Sequence, residues 1–501
     1  MAYTKKNLQD AVKQTLGDRM LVIVSNREPY VHRLRDGKVD CSRPTGGAVT
    51  ALDPVMKACG GTWVAYGSGT GDKKTVDEKN RIMVPPDNPS YTLRRIWLSK
   101  EEEVGYYYGF SNKGLWPLCH IAYTRPEFDE DEWQVYFNVN KKFADAVLEE
   151  VGDKKALVWV QDYHLTLLPQ MLKKKKPDLA VSHFWHIPWP NSEVFRICPK
   201  QRDILEGLLA NDLLGFHIRY HCENFFDTVD KTLEARIDRE RYSIIHNGHE
   251  TLVRAFPISV DFNAISKKSE TSDIKKHTKP LIEEYNLGGI EYIMFGLDRI
   301  DYTKGIIERI KAVDRFLDKY PSYKGRFAFI QVGDLSRIHL QAYKDLNDQI
   351  NAIVEHVNWK HATEDWAPVI MVRRHLVFDE IIAFYKLANV CVVSSLHDGM
   401  NIVAKEYISS RIDGDGVLLL SQFTGAIREL ADAISFNPFD IDAFAENIKY
   451  ALEMPADERK RRMLALRETV AEKNIYKWAG DIVSEFGKIQ SNPPIVQPKA
   501  K

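Results

Sequence analysis

The stretch Asp398–Asn401 has the composition of a ligand-binding turn. It follows the strand-like apolar run at 390–395 and precedes a helix-like segment. Gly399 would let the backbone approach a ligand closely, and the exposed amides at a helix start suit hydroxyls or phosphate oxygens. Glu406, about two helical turns beyond Gly399, could accept paired hydrogen bonds from a ribose diol. An ordinary capped strand–helix junction is the alternative interpretation.

A second candidate turn carries two cations. The segment GLDRIDYTKG (296–305) follows another strand-like run and sets Arg299 and Lys304 around a turn. Two positive charges at a strand end, ahead of a helix start, are suited to stabilising a diphosphate leaving group. A surface salt-bridge pair is the alternative.

Polar residues end two further strand-like runs, QDYH (161–164) and HFWHIPWP (183–190). The histidines in this region lack an HExxH pattern or a neighbouring CxxC, and residues three apart on a strand face opposite sides. The sequence therefore predicts no metal site. Asp162 and His186 are interpreted instead as polar residues that face a cleft.

Aromatic residues are dense in YYYGFSNKGLW (106–116), which we interpret as a loop. Tyr107 and Trp116 could stack on sugar faces, and a packed Ω-loop covering the core is the alternative. The run GSGTGD (67–72) does not have the GxGxxG spacing, and neither GxxxxGK[ST] nor GxSxG occurs. These absences disfavour a Rossmann dehydrogenase, a P-loop enzyme and an α/β-hydrolase.

The elements that would hold these residues alternate between short apolar runs and amphipathic stretches. Such alternation predicts an α/β protein with parallel sheets. The runs predict strands within 20–26, 156–164, 181–190, 212–217, 251–261, 291–299, 325–333, 367–375, 390–395 and 416–422. Apolar periodicity is lost between Pro257 and Pro280, so we expect two α/β halves that face each other across a cleft.

Composition limits the class of protein. A chain of 501 residues suggests two or three domains. Its net charge of −1, with Lys+Arg 69 against Asp+Glu 70, gives no general attraction to nucleic acid or to an acidic membrane. The 6 cysteines are scattered, and neither a secretory h-region nor an apolar run of about 18 residues is present. These features predict a cytoplasmic protein with reduced thiols.

Several motifs together resemble one family, the retaining glycosyltransferases that make trehalose-6-phosphate. The resemblance extends from about residue 20 to about residue 485. The motifs are SNR (25–27), the pair Gly46-Gly47, YYYGFSNKGLWP (106–117), QDYH (161–164), HIPWP (186–190), DLLGFH (212–217), DRIDYTKG (298–305), SRIHLQAYKDL (336–346), HDGMNIVAKEY (397–407) and LSQFTGA (420–426).

The resemblance implies a GT-B architecture, in which two Rossmann-like domains with parallel sheets face each other across a cleft. We expect an acceptor-binding domain at 1–257 and a nucleotide-sugar-binding domain at 258–475. A helix at 476–490 would cross back to the first domain, and the tail 491–501 is expected to be disordered.

The resemblance also implies roles for individual residues, with no metal and no cofactor. The donor-binding set is Gly46, Gly47, Arg299, Lys304, Asp398, Gly399, Met400, Asn401, Ile402, Val403 and Glu406. The acceptor-binding set is Arg27, Tyr66, Tyr107, Trp116, Asp162 and Arg337. The residues expected to act directly in catalysis are His186, Arg299, Lys304 and Asp398.

The implied reaction moves glucose from a nucleotide-glucose, UDP-glucose by default, to glucose-6-phosphate. Retention without an enzymic nucleophile implies front-face substitution that needs no metal. Tyr66 stands near a position where the family commonly has Trp, and three arginines lie in the predicted solvated loop 28–45. Glycerol 3-phosphate therefore stays open as an alternative acceptor, and an inactive sugar-phosphate sensor as an alternative of another class. The donor base and a possible homo-oligomer also stay open.

Overall fold

The computed structural model describes residues 3–44, 47–121, 124–334 and 336–491. Two compact units account for them. The first contains Tyr3–Ile258 and the chain from Ile475, and the second contains Ser259–Asn474. Each unit is built around one large sheet whose central strands are parallel, so the predicted α/β class is confirmed.

Strands and helices of the first unit alternate along the chain. Its strands are β1 (Met20–Arg27), β2 (Val31–Arg35), β3 (Lys38–Ser42), β4 (Thr62–Tyr66), β5 (Arg81–Val84), β6 (Tyr91–Ile96), β7 (Ala156–Gln161), β8 (Ala180–Phe184), β9 (Leu213–Phe216), β10 (Arg236–Asp238), β11 (Ser243–His246) and β12 (His249–Ala255). The helices of this stretch are α1 (Lys5–Leu16), α2 (Gly47–Cys59), α3 (Lys100–Glu103), α4 (Trp116–His120), α5 (Glu130–Val151), α6 (Leu168–Lys175), α7 (Ser192–Phe195), α8 (Gln201–Leu208) and α9 (Arg219–Thr232).

The sheet of the first unit has the strand order β10-β11-β12-β9-β8-β7-β1-β4-β6-β5. Its seven parallel strands are β12, β9, β8, β7, β1, β4 and β6, and in chain order they follow the pattern 7-6-5-4-1-2-3, a doubly wound order with one added strand. The strand order reverses between β1 and β7. Every residue of β7 is buried, as expected of a strand that is covered by helices on both faces.

Two segments that the sequence analysis interpreted as loops are regular structure. Within 28–45, β2 and β3 pair as an antiparallel hairpin. The aromatic segment is helical, because Val104–Leu115 forms a helical stretch with a kink at Gly109 and continues into α4. The glycines of this segment, which are typical of loops in a sequence, allow close helix packing here. A Cβ atom on Gly105 would lie 2.9 Å from the Val135 side chain, and one on Gly109 would lie 2.6 Å from the Glu132 carboxyl carbon.

The second unit is a purely parallel α/β fold. Its strands are β13 (Tyr292–Arg299), β14 (Phe327–Asp334), β15 (Val369–Val372), β16 (Val390–Val393), β17 (Val417–Ser421) and β18 (Ile434–Phe436). Its helices are α10 (Phe262–Ser269), α11 (Ser272–Glu284), α12 (Ile306–Lys319), α13 (Gln341–His361), α14 (Phe378–Leu387), α15 (Ile402–Ser410), α16 (Ile441–Glu453) and α17 (Ala456–Glu472). The strand order β15-β14-β13-β16-β17-β18 is the 3-2-1-4-5-6 order of a Rossmann fold, and it reverses between β13 and β16.

The last helix, α18 (Ile475–Ser491), belongs to the first unit. The indole Nε1 of Trp478 donates to the carbonyl of Phe256 at 3.1 Å, and Arg254 Nε pairs with Glu485 at 2.9 Å. The predicted disordered tail, from residue 492 onward, lies outside the described residues. Among the residues that are described, no helix is both long and apolar enough to cross a bilayer.

Candidate active site

In the second unit, the end of β13 and the turn after it bring Lys304 next to the end of β16. Tyr302–Lys304 form one 3-10 turn, and Gly305 follows with a φ of +62°. A Cβ atom on Gly305 would lie 2.2 Å from the carbonyl oxygen of Ser394, so only glycine allows the turn to close on the strand end. The Ser394 hydroxyl donates to the carbonyl of Lys304 at 3.1 Å and of Gly305 at 2.8 Å.

The closest ion pair of this region joins the two predicted turns. Lys304 Nζ lies 2.6 Å from Asp398 Oδ2, and the two side chains are 14% and 13% exposed. The same carboxylate oxygen accepts hydrogen bonds from Ser395 Oγ at 3.1 Å and from Asn401 Nδ2 at 3.2 Å. Lys304 and Asp398 are thus held together as a mostly desolvated charge pair.

In the turn at Asp398–Asn401, carbonyl groups are hydrogen-bonded to the protein, whereas most amide groups are left for a ligand. The carbonyls of Asp398 and Met400 accept from the amides of Gly425 and Ala426, at 3.1 and 3.0 Å. Within the part of the chain that the structure describes, the amides of Gly399 to Val403 have no protein acceptor. These amides lie just before and at the N-terminus of α15. They are therefore suited to hydroxyls or phosphate oxygens.

The amide of Asp398 differs from those that follow it. The amide of Asp398 donates to the carbonyl of Phe423 at 3.1 Å, so it is not available to a ligand. Asn401 adopts a φ of +82°, and its side chain caps α15 by accepting from the amide of Ala404 at 3.3 Å. This cap fixes the start of the helix and hence the direction of the free amides.

Three cations gather around one buried carboxylate. Burial would raise the pKa of Asp301, but the charges of Arg337, Arg299 and Lys304 hold it below its usual range. Arg337 Nη1 lies 3.4 Å from Asp301 Oδ2 and donates to the Tyr343 hydroxyl at 2.6 Å. The structure therefore places Arg337, predicted as an acceptor residue, in the same unit as the donor-side cations.

Glu406 lies on the second turn of α15 and is 8% exposed. Burial raises the pKa of its carboxyl to about 7, although the hydrogen bond from the Tyr385 hydroxyl, 3.1 Å long, acts in the opposite direction. A carboxyl group with this pKa changes its charge near neutral pH. Its ionised form accepts a hydrogen bond from a ligand hydroxyl more strongly than its protonated form.

In the first unit, three of the predicted acceptor residues, Arg27, Tyr66 and Tyr107, meet at the end of β1. The register between β1 and β4 shifts between Ser25 and Arg27, so that Arg27 pairs with Tyr66. Arg27 Nη2 donates to the Tyr107 hydroxyl at 3.0 Å. A register shift of this kind re-aims a strand-end side chain.

Aromatic rings of the helical segment at 104–120 pack on the QDYH motif. Tyr107 stacks on His164 with ring centroids 5.6 Å apart, and Trp116 packs on Tyr163 at 5.9 Å. Trp116 is buried, which limits how much of its ring can touch a ligand. His164 and Tyr163 are candidate residues that sequence reasoning missed, although both stand in a motif that it singled out.

Asp162 follows β7 in a strained conformation, with φ of +69° and ψ of 173°. Its carboxylate accepts from the amide of Tyr163 at 3.0 Å and from that of His186 at 3.3 Å. Non-glycine residues hold such backbone angles only where their surroundings enforce them, often at functional sites. The strain therefore marks Asp162 as part of the candidate site.

His186 is a neutral, fully oriented imidazole. Its Nε2 lies 2.9 Å from Gln161 Oε1, and because an amide oxygen can only accept, Nε2 carries the proton. Burial lowers the pKa of His186 to about 3. Its carbonyl accepts from His217 Nε2 at 3.0 Å. Gln161 and His217 thus hold His186 in place. Both stand in quoted motifs, but their contacts with His186 were not predicted.

Both groups of residues lie at carboxyl ends of strands where the strand order reverses. Arg27 ends β1 and Asp162 follows β7, whereas Lys304 and Asp398 follow β13 and β16. These reversals are the usual ligand sites of doubly wound sheets. Of the predicted glycine pair, Gly47 begins α2, and Gly46 lies outside the described residues.

A family model confirms the resemblance seen in the motifs. The model of glycosyltransferase family 20 matches residues 19–488. A trehalose-6-phosphate synthase of Mycobacterium marinum is 34% identical over 496 residues, which cover 97% of this chain and 98% of the relative. The trehalose-6-phosphate synthase of Mycobacterium tuberculosis is 36% identical over 477 residues, covering 93% of this chain and 94% of the relative.

Solved structures of the same kind superpose over almost the whole chain. The trehalose-6-phosphate protein of E. coli, bound with UDP-2-fluoro glucose, matches with a TM-score of 0.83 and 29% identity, over 94% of this chain and 99% of that one. An alpha,alpha-trehalose-phosphate synthase (UDP-forming) from Burkholderia xenovorans, in complex with glucose-6-phosphate, matches with a TM-score of 0.84 and 29% identity, over 93% and 99%.

Each match covers nearly the full length of both this chain and the matched chain. The similarity therefore concerns the whole fold rather than one domain. They confirm the predicted GT-B class with its two Rossmann-like domains. The chain belongs to glycosyltransferase family 20.

Proposed function

We propose that this protein transfers glucose from UDP-glucose to glucose-6-phosphate, giving trehalose-6-phosphate and UDP. The observation that carries the proposal is the reversal point of the second sheet. There, Arg299 and Lys304 accompany the open amides of Gly399 to Val403. Cations and oriented amides together suit a diphosphate that gains charge as it leaves.

The residues of the second unit would hold the donor. Arg299 and Lys304 bind the diphosphate, Glu406 accepts from the ribose diol, and Asp398 with the amides after it binds glucose hydroxyls. Gly46 and Gly47 close over the donor, and His186 contacts the donor sugar near its reacting carbon.

The residues of the first unit would hold the acceptor sugar. Arg27 binds its phosphate together with Arg337, and Tyr66, Tyr107, Trp116 and Asp162 surround the ring. The hydrogen bond from Arg27 to Tyr107 supports this assignment, because it links the proposed phosphate ligand to a proposed sugar ligand.

The reaction would proceed by front-face substitution. The acceptor hydroxyl attacks the anomeric carbon on the side from which the diphosphate leaves, so that configuration is retained. The bond from that carbon to the phosphate oxygen breaks, and a leaving phosphate oxygen takes the acceptor proton. The protein contributes orientation and charge compensation, and Arg299 with Lys304 supplies the positive charge without a metal.

The alternatives are less well supported. The first alternative keeps the reaction but takes glycerol 3-phosphate as the acceptor, and it rests on Tyr66. The second is a sugar-phosphate sensor without catalytic activity. The two relatives match this chain over 98% and 94% of their own length, and both are named trehalose-6-phosphate synthase. Neither alternative is favoured by these names. All cysteines are free thiols, from Cys41 to Cys391, and this supports the proposal of a cytoplasmic enzyme.

A grid of donors and acceptors tests the proposal. UDP-, ADP- and GDP-glucose would each be mixed with glucose-6-phosphate or glycerol 3-phosphate, and nucleoside diphosphate release would be followed. We expect the fastest turnover with UDP-glucose and glucose-6-phosphate, and an α,α-linked product by NMR. Turnover with glycerol 3-phosphate at an equal or higher kcat/KM would overturn the acceptor, and no release with any pair would favour the sensor.

A further inference from the structure

A buried polar network lies directly behind the proposed phosphate ligand Arg27. Glu28, the next residue, is 1% exposed. Its Oε2 accepts from Arg95 Nε at 2.7 Å, and its Oε1 accepts from the amide of Ser68 at 2.8 Å. Both oxygens of one carboxyl group are therefore engaged in holding the turn that follows β1.

A second buried carboxylate repeats this arrangement. Asp72 Oδ1 accepts from the amide of His32 at 2.7 Å and lies 3.0 Å from Arg95 Nη2, while its Oδ2 accepts from the amide of Gly69. Arg95 also donates to the carbonyl of Tyr30 at 2.9 Å. The guanidinium thus links the turn after β1, the hairpin β2–β3 and the GSGTGD segment.

The two buried carboxyl groups of this network share one cation, Arg95. Burial raises the pKa of Glu28 to about 8, and its hydrogen bond with Asp72 acts in the same direction. Burial would also raise the pKa of Asp72, but hydrogen bonds from His32 and Glu28 lower it. Both carboxyl groups pair with Arg95, and their oxygens accept hydrogen bonds from the surrounding backbone amides, so the buried polar atoms of the network are satisfied.

Arg27 is held on its other side as well. The Ser25 hydroxyl donates to the carbonyl of Arg27 at 2.7 Å and accepts from Trp63 Nε1 at 2.8 Å. The backbone of Arg27 is therefore fixed between Ser25 and Glu28, while its side chain reaches Tyr107. A shift of Glu28 would therefore move the backbone from which the Arg27 side chain extends.

We propose that Glu28, Asp72 and Arg95 are positioning residues that set Arg27 for binding of the acceptor phosphate. This inference rests on the proposed function of Arg27. It gives a role to the segment GSGTGD, which matches no nucleotide-binding pattern, and to the residue that follows the SNR motif. None of the three side chains is assigned a direct contact with a substrate.

The substitution Glu28→Gln tests the network while keeping the size of the side chain. Both carboxyl oxygens of Glu28 accept hydrogen bonds, and the amide group of Gln can satisfy only one of these donors. We expect Glu28→Gln to raise the KM for glucose-6-phosphate about tenfold, with the KM for UDP-glucose and kcat changed less than twofold. Asp72→Asn meets the same conflict and should give the same pattern, so it serves if the first variant does not fold.

The matched control is Glu150→Gln. Glu150 is buried, and it pairs with Arg81 at 2.7 Å and with Arg94 at 3.4 Å. Arg94 is the neighbour of Arg95 on β6, and adjacent strand residues face opposite sides of the sheet. This variant should lower the melting temperature without changing the KM for glucose-6-phosphate. An equal rise of KM in Glu150→Gln would mean that loss of stability alone explains the effect.

A double-mutant cycle with Arg27→Ala separates this inference from the proposed function. If Glu28 acts through Arg27, the effect of Glu28→Gln on the acceptor KM should fall below twofold in the Arg27→Ala background. A tenfold effect that persists there would overturn the inference. An unchanged acceptor KM in Arg27→Ala alone would instead overturn the proposed role of Arg27, and a normal KM in Glu28→Gln beside a raised one in Arg27→Ala would overturn only the positioning role.

Discussion

Replacing Lys304 by Ala tests the proposed stabilisation of the leaving diphosphate. Lys304 Nζ is 2.6 Å from Asp398 Oδ2, and the two side chains are 14% and 13% exposed to solvent. A cation in such a desolvated position interacts more strongly with developing charge than it would in water. Because charge on the diphosphate grows as its bond to glucose breaks, the loss should appear mainly in kcat.

The magnitude follows from comparable electrostatic donors. Removing one group that stabilises developing negative charge costs about 3 kcal/mol, or roughly two orders of magnitude in kcat/KM. The folded state also changes, because Asp398 loses its ion pair with Lys304 and keeps neutral donors such as Ser395 and Asn401. An underpaired buried carboxylate costs about 1–3 kcal/mol of stability, so the melting temperature should fall as well.

The assay measures UDP release with both substrates varied, beside thermal unfolding. Lys311→Ala is the matched control, because Lys311 is an exposed lysine on the adjoining helix α12, and its activity should stay within twofold. The double variant Lys304→Ala/Asp398→Asn removes both charges. It should recover stability but not kcat, if Lys304 acts on the diphosphate.

Two results would refute this reasoning. A fall in kcat/KM below about threefold for Lys304→Ala would remove the residue from the mechanism. Recovery of kcat in the double variant would mean that Lys304 serves only to neutralise Asp398.

The remaining predictions concern pH, metals and backbone geometry. Because the pKa of Glu406 is raised to about 7 and the ionised form accepts more strongly, calorimetry should find UDP-glucose binding up to about tenfold tighter at pH 8 than at pH 6; a slope of equal size in Glu406→Gln would contradict this role. Excess chelator should leave turnover within twofold, since Arg299 and Lys304 supply the positive charge; loss of turnover that magnesium restores would disprove it. Gly305→Ala, whose Cβ would lie 2.2 Å from a backbone oxygen, should lower the melting temperature and kcat/KM more than Gly325→Ala, where φ is also positive but nothing lies within 4 Å; equal losses would mean that the close approach is unimportant.

Residues of the second unit were predictable from sequence because their signals are local. Arg299 ends an apolar strand and Lys304 stands in the turn that follows it, and Gly399 stands between a strand and a helix. In a parallel sheet every strand carboxyl end meets the same edge. A strand followed by a polar turn therefore already predicts where a side chain will lie.

Residues that act through others were not predictable in this way. Gln161 matters because its amide oxygen fixes the proton of His186, 25 positions away, and Glu28 matters because Arg95 lies 67 positions away. The helical segment at 104–115 was missed for a related reason. Gly105 and Gly109 face side chains of α5, and only the packed structure distinguishes a glycine that permits contact from one that forms a turn.

The two reversal points use different chemistry, and this difference predicts how their variants should behave. The second unit concentrates full charges, with Lys304 and Asp398 paired and three cations around Asp301. The first unit relies on rings, a neutral His186 and one guanidinium from Arg27. Full charges respond to charge that develops in the reaction, whereas rings and fixed hydrogen bonds respond to shape. Substitutions in the second unit should therefore reduce kcat more than substrate affinity, and substitutions behind Arg27 should do the reverse.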